Sequence, residues 1–182
     1  MSDSDLIKLY SKRILALAAD IPHLGTLDGA QGTSKQRSPL CGSTVTATLK
    51  MQDGKIADFA QNVKACALGQ ASSSILGAHV IGQDRDTIAA ARDALVKMLK
   101  EDGPTPPAPF DELEVLRPAR EFKNRHPSIL LAWEATLAAM AATTPRGRFA
   151  TPDEIAGEIG FLLSDAASNI SGAVAWQYSS RK

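Results

Sequence analysis

The sequence predicts an α+β fold, with a β-hairpin in its first third and helices through most of the remainder. Three observations carry that expectation. Val45, Ala47, Leu49 and Met51 alternate with Thr44, Thr46, Thr48 and Lys50, the period-2 pattern of a half-buried strand. Asp53-Gly54 follows at once, a strong signal for a two-residue hairpin turn. From Ala67 onward, apolar residues recur at helical spacing in successive segments, and strands followed by a run of helices read as α+β.

The hairpin makes a geometric prediction. With Asp53-Gly54 as a two-residue loop, Gln52 faces Lys55, and counting outward sets Leu49 against Asp58, Thr44 against Val63, and Cys41 against Cys66. Ala57, Phe59 and Val63 then share one face of the returning strand. A β-bulge would shift this count by one residue. Cys41 and Cys66 are the chain's 2 cysteines, and this pairing brings them to one end of the hairpin.

The other elements follow in order. Leu6, Leu9, Ile14, Leu17 and Ala18 give a first amphipathic helix over 4–19, capped by Ser4 or Asp5 and ended before Pro22. Residues 25–39 are glycine-rich and polar, an irregular edge strand or a loop. Gly25, Gly29 and Gly32 lack the preceding apolar strand and following apolar helix of a nucleotide loop. After the hairpin, Ala67, Ala71, Ile75 and Ala78 line a helix that begins at Cys66. Ile88, Ala91, Leu95, Met98 and Leu99 mark another over 85–101, capped by Asp84 or Asp86 and stopped at Gly103. A proline-rich break leads to a short helix around Leu113 and Leu116. Asn124-Arg125-His126-Pro127 is a corner, and Ser128 opens an apolar helix with Ile129, Leu130, Trp133, Leu137 and Met140 inward. Thr151-Pro152-Asp153-Glu154 is the start signal of a last helix, and Ala173–Trp176 a short strand.

Composition narrows the function classes. The chain has 182 residues, enough to bury a core, and its 20 basic residues balance its 20 acidic ones. That balance argues against a nucleic-acid partner. No apolar run nears the roughly 20 residues that span a bilayer, so no membrane role is expected. The N-terminus lacks the pattern of a signal peptide, which leads to a cytoplasmic expectation and reduced thiols. Cys66 at a helix start is where the dipole and free amides favour a thiolate, the form that soft metals and persulfide chemistry use. Cys41 lies in the turn Pro39-Leu40-Cys41-Gly42, open to a ligand. Two cysteines on their own also fit a pair of small buried hydrophobes.

The segments SPLCGSTV, DGKI and KACALGQASSSIL, with LIKLYSKRIL before them and ILLAW after, make residues 4–142 resemble the IscU/NifU/SufU-type iron–sulfur cluster assembly scaffolds. The resemblance implies a small antiparallel sheet of about three strands, covered by helices on one side. It implies a carrier and not an enzyme, which binds iron or zinc, accepts sulfur from a cysteine desulfurase, and passes a [2Fe–2S] cluster to client proteins. Cys41 and Cys66 match two of that family's three cysteines. Its usual aspartate after Cys-Gly is Ser43 here, and its third cysteine is Ser128. His126 is then the nearby candidate for a further metal ligand, while His23 and His79 read as packing or surface residues. With two thiolates per chain, a four-thiolate [2Fe–2S] site needs a homodimer, or His126, water or a small thiol to complete it.

Residues 145–175 resemble the C-terminal segment of short-chain dehydrogenases/reductases, through PRGRF, PDEIA, FLLSD and ISG. The chain thus divides into a scaffold-like domain, 1–142, and an appended helix–strand tail, 143–182, whose apolar face needs cover. The dinucleotide half of that second family is missing. Tyr178 and Lys182 have its catalytic spacing but lie after this segment. Two alternatives follow: a degenerate scaffold that only binds a desulfurase or client, and, more remotely, a nicotinamide-dependent oxidoreductase.

Overall fold

The computed structural model describes residues 11–39, 41–144, 150–164 and 167. The element order is α1 (Lys12–Ala19), β1 (Gly32–Arg37), β2 (Thr44–Gln52), β3 (Lys55–Lys64), α2 (Ala67–His79) and α3 (Arg85–Glu101). Two 3-10 segments, Asp111–Glu121 and Lys123–Arg125, lead into α4 (His126–Ala142), and α5 (Pro152–Leu162) closes the order. This is the expected α+β architecture: a three-stranded antiparallel sheet in the order β1-β2-β3, packed against helices.

The glycine-rich stretch supplies the edge strand, β1. Gly32 is required there, because an added Cβ would lie 2.0 Å from the carbonyl oxygen of Ala139 on α4. The turn between β2 and β3 is the one expected. Asp53 and Gly54 both take positive φ, 51° and 78°, as a type I′ turn demands.

The register differs from the count made on turn length. Gln52↔Lys55 and Met51↔Ile56 pair as expected, but the next pairs are Lys50↔Asp58, Leu49↔Phe59 and Thr44↔Lys64. Ala57 is the extra residue of a β-bulge, and it is exposed instead of facing the core. The side chains explain the shift. Ile56 and Phe59 are both buried, yet three residues apart they would point to opposite faces of a regular strand. The bulge turns both inward and leaves Asp58 outside, 4.0 Å from Lys50. Cys41 and Cys66 are therefore not an opposed strand pair. They flank the end of the hairpin, one in a turn and one at a helix start.

Helix boundaries follow local chemistry. Asp84 caps α3 by accepting from Thr87 N at 2.8 Å, and Asp102 ends it in the left-handed conformation at φ 56°. Within the described part of α1 the cap is Ser11; Ser4, Asp5, Leu6 and Leu9 lie outside the described residues. The corner before α4 is shorter than expected. The helix starts at His126, with Pro127 in its first turn, where a missing N–H costs nothing.

α4 is the central element, packed against β1, β2, α2 and α3. Ile129, Trp133 and Met140 are buried as expected, whereas Leu130 and Leu137 are only partly buried. Trp133 meets Phe110 edge to face at 5.0 Å. Its indole N–H donates to Ser72 Oγ at 3.0 Å, and Ser72 donates to the Ile129 carbonyl at 2.7 Å. These bonds tie α2 to α4 through the core.

In α5, Thr151 and Glu154 form a reciprocal capping box at the expected start signal. None of its residues is buried, and Ile159, Phe161, Leu162 and Leu163 are exposed. The cover expected for this face is not provided by the described residues. The Ala173–Trp176 strand, Tyr178 and Lys182 fall outside them. Among the described residues, no helix is long and apolar enough to cross a membrane.

Candidate functional site

The turn from β1 to β2 presents Cys41. Ser38 N–H donates to the Ser43 carbonyl at 2.9 Å, Gly42 N–H donates to the Ser38 carbonyl at 3.0 Å, and Gly42 takes φ 69°. That left-handed residue lets the chain reverse tightly and leaves the Cys41 thiol exposed. On the other side, β3 ends at Lys64, and Cys66 occupies the N-cap position of α2 with extended backbone angles. It makes no side-chain capping bond, so its sulfur is not committed to the helix.

The two thiols line one cleft of about 290 Å³. The turn contributes Cys41, Gly42 and Ser43, the end of β3 contributes Lys64, Ala65 and Cys66, and Arg125 comes from the segment before α4. Both cysteines are free.

Three buried hydroxyls join the sulfurs into a chain. Cys41 Sγ lies 3.3 Å from Ser38 Oγ and 3.0 Å from Ser43 Oγ. Ser128 Oγ donates to Ser43 Oγ at 3.2 Å and lies 3.5 Å from Cys66 Sγ. Ser38, Ser43 and Ser128 are each almost fully buried. The hydroxyls of Ser38 and then Ser43 stabilise the Cys41 thiolate, with smaller help from Ser43 N–H and Ser128. Against a modest opposing desolvation, they bring its pKa down to about 7. Near neutral pH a substantial fraction of Cys41 is the nucleophilic, metal-binding form.

The site thus contains Cys41, Cys66, Ser43 and Ser128, the positions singled out from sequence. It adds Ser38, Lys64 and Ala65. Ser38 carried no sequence signal beyond its place before Pro39 in the cysteine turn. Arg125 lies in the expected corner, where its sequence context carries no functional signal.

His126 points elsewhere. Its Nε2 lies 3.0 Å from the Ala119 carbonyl and 3.2 Å from that of Arg120. It lines a different cleft, with Gln36, Arg37, Lys123 and Leu130. As the first residue of α4, two positions from Ser128, it leaves the helix on another face, and its ring pins the preceding 3-10 segment. His23 and His79 make edge-on ring contacts with Phe59 and Phe110, at 6.2 and 6.1 Å.

Cys41 and Cys66 bring two soft sulfur atoms to one cleft, the donor type that iron and zinc take. Among the described residues, no group of three or more His, Cys, Asp and Glu side chains is placed to hold a metal ion. The described residues thus bring together two sulfurs, with an opening to solvent.

Residues 9–116 match the family described as NifU-like N terminal domain. The chain is 29% identical over 135 residues to the iron–sulfur cluster assembly scaffold protein IscU of Streptococcus pyogenes serotype M1, covering 74% of this chain and 84% of that one. It is 26% identical over 131 residues to the IscU scaffold of Thermotoga maritima, covering 69% and 88%. Among solved structures, a NifU-like protein (N-terminal) from Brucella abortus superposes with a TM-score of 0.75 at 45% identity, covering 76% of this chain and 96% of that one. A SufU-type scaffold from Fervidobacterium islandicum shares the fold, with a TM-score of 0.65 at 19% identity over 74% of this chain and 98% of that one.

Proposed function

The chain belongs to the NifU-like N-terminal domain family, and on that ground we propose that it is an iron–sulfur cluster assembly scaffold that holds its cargo on Cys41 and Cys66. The observation that carries the site assignment is the convergence of these two free thiols, from a turn and a helix start, on one small open cleft.

The cargo is iron, or a [2Fe–2S] cluster built from iron and sulfide; zinc suits the same donors. The protein is a carrier in this reading and turns over no substrate of its own. Sulfur comes from the persulfide of a cysteine desulfurase. The Cys41 thiolate attacks the outer sulfur, the donor's S–S bond breaks, and the donor cysteine leaves as a thiolate. Cys41 then carries the persulfide, and two electrons from an external reductant, of the thiol or electron-carrier class, cleave its S–S bond to release sulfide and restore the Cys41 thiolate. The thiol lowered to about 7 suits this step, since the attacking species is the thiolate. The finished cluster passes to client proteins by exchange of thiolate ligands, for which an exposed, incompletely coordinated site is suited. A homodimer that pools two pairs of thiolates is one way to reach four ligands.

Anaerobic reconstitution with iron and sulfide, followed by visible absorption and assay of iron and acid-labile sulfide, tests the reading. Wild type should colour and retain both, while Cys41→Ser and Cys66→Ser should each lose most of them. A colourless wild type, or variants indistinguishable from it, would overturn the assignment.

A further inference from the structure

Among the described residues, the cleft that holds the cysteines is lined by two cations and no acid. Arg13, Arg85, Arg92, Arg117 and Arg120 all form ion pairs with aspartate or glutamate. Lys64 and Arg125, which line the cysteine cleft, make no ion pair and no side-chain hydrogen bond among the described residues. In a chain whose formal charges sum to zero, two unmatched cations beside two thiols are a local excess. The same cleft is short of thiolates. Ser128 stands 3.5 Å from Cys66 Sγ, and Ser43 3.0 Å from Cys41 Sγ, where hydroxyls are weak donors to iron.

One class of ligand supplies both missing elements. We infer that the cleft binds a small thiol bearing carboxylates, of the glutathione type, whose sulfur adds a third thiolate to the cargo, with water in any fourth position, while its carboxylates pair with Lys64 and Arg125. The volume of about 290 Å³ is at the lower end for a ligand cleft, roughly 300 Å³, and matches a small peptide better than a protein segment. Arg125 suits a carboxylate because its guanidinium can donate two parallel hydrogen bonds. Coordination is ligand exchange without redox change: the thiol gives its proton to water as its sulfur takes an open position on iron. The competing source of further thiolates is a two-fold dimer through this face. An isologous contact would set Lys64 and Arg125 against their own copies, adding repulsion where the thiol ligand adds attraction.

This inference rests on the cluster-holding role of Cys41 and Cys66. The test compares anaerobic reconstitution with ferric iron and sulfide in the presence of glutathione or of 2-mercaptoethanol, a neutral thiol, at equal thiolate concentration. Native mass spectrometry reads cluster, bound thiol and oligomeric state together. Glutathione should give a monomer carrying cluster and tripeptide, with half-saturation at a concentration on the order of tenfold lower than for the neutral thiol. The Lys64→Glu, Arg125→Glu double variant should lose that preference while keeping its fold. Equal effects of both thiols, or a cluster held by a dimer free of small thiols, would overturn the inference. Should no cluster form with either thiol, the scaffold site itself is rejected. The cation pocket is then decided on apo-protein with S-methylglutathione by ligand-observed NMR. Binding lost in the double variant upholds the pocket, and no binding to wild type removes it.

Discussion

Ser128 Oγ lies 3.5 Å from Cys66 Sγ although 62 residues separate them, and it also donates to Ser43 Oγ beside Cys41. The Ser128 hydroxyl thus bridges Cys66 to the Ser43 hydroxyl that contacts Cys41. Ser128→Cys should convert two thiolates into three. Zinc affinity, measured against a chromophoric chelator, is expected to rise by at least about tenfold, the scale associated with a single outer-shell partner. No gain would mean that the side chain at 128 does not reach a common centre with Cys41 and Cys66.

Cys41 should titrate near neutrality. Its pKa is lowered to about 7, first by the Ser38 hydroxyl and then by Ser43. The lowered value means the thiolate predominates above about pH 7, and protons compete with metal below it. In a Cys66→Ser background, alkylation by iodoacetamide should rise with pH and reach half its limiting rate near pH 7. Ser38→Ala removes the largest stabilising contact, so the midpoint should move up toward that of an ordinary thiol. Mass spectrometry of the alkylated peptide follows both.

Gly69 is the space into which Ser128 packs. A Cβ there would lie 2.6 Å from Ser128 Oγ, 2.9 Å from Ser128 O and 2.9 Å from Ala65 Cβ. All three contacts are too short; one is with Ala65, beside Cys66, and two are with Ser128 on α4. Gly69→Ala should destabilise by about 1–3 kcal/mol despite the better helix propensity of alanine. It should also weaken zinc binding, because relief requires moving α4 away from the cysteine cleft. Urea unfolding and the chelator competition measure the two effects separately.

Ser72 joins two buried partners. It accepts from the Trp133 indole at 3.0 Å and donates to the Ile129 carbonyl at 2.7 Å. Ser72→Ala leaves the indole N–H without its acceptor in the core, a loss of about 1–3 kcal/mol. Denaturant unfolding followed by tryptophan fluorescence reads it. Metal binding should be kept, since Ser72 makes neither contact with the cysteine cleft, which makes this variant the stability control for Gly69→Ala.

Short-range chemistry was legible before the fold was known. Asp53-Gly54 specified the turn, Asp84 and Thr151 specified helix starts, and alternation over Thr44–Met51 marked β2, because each feature acts over one turn or one strand. Cys66 at a helix start was legible for the same reason. Tertiary packing alone decided the rest. The bulge at Ala57 exists because Ile56 and Phe59 must share a core assembled with α4 and its neighbours, so the pairing of Cys41 with Cys66 by counting could not hold. The direction of His126 and the hydroxyls of Ser38 and Ser128 around the thiols depend on where α4 lands against the β1–β2 turn. Local patterns encode conformations of the backbone; which side chains then meet is set by how the buried faces fit together.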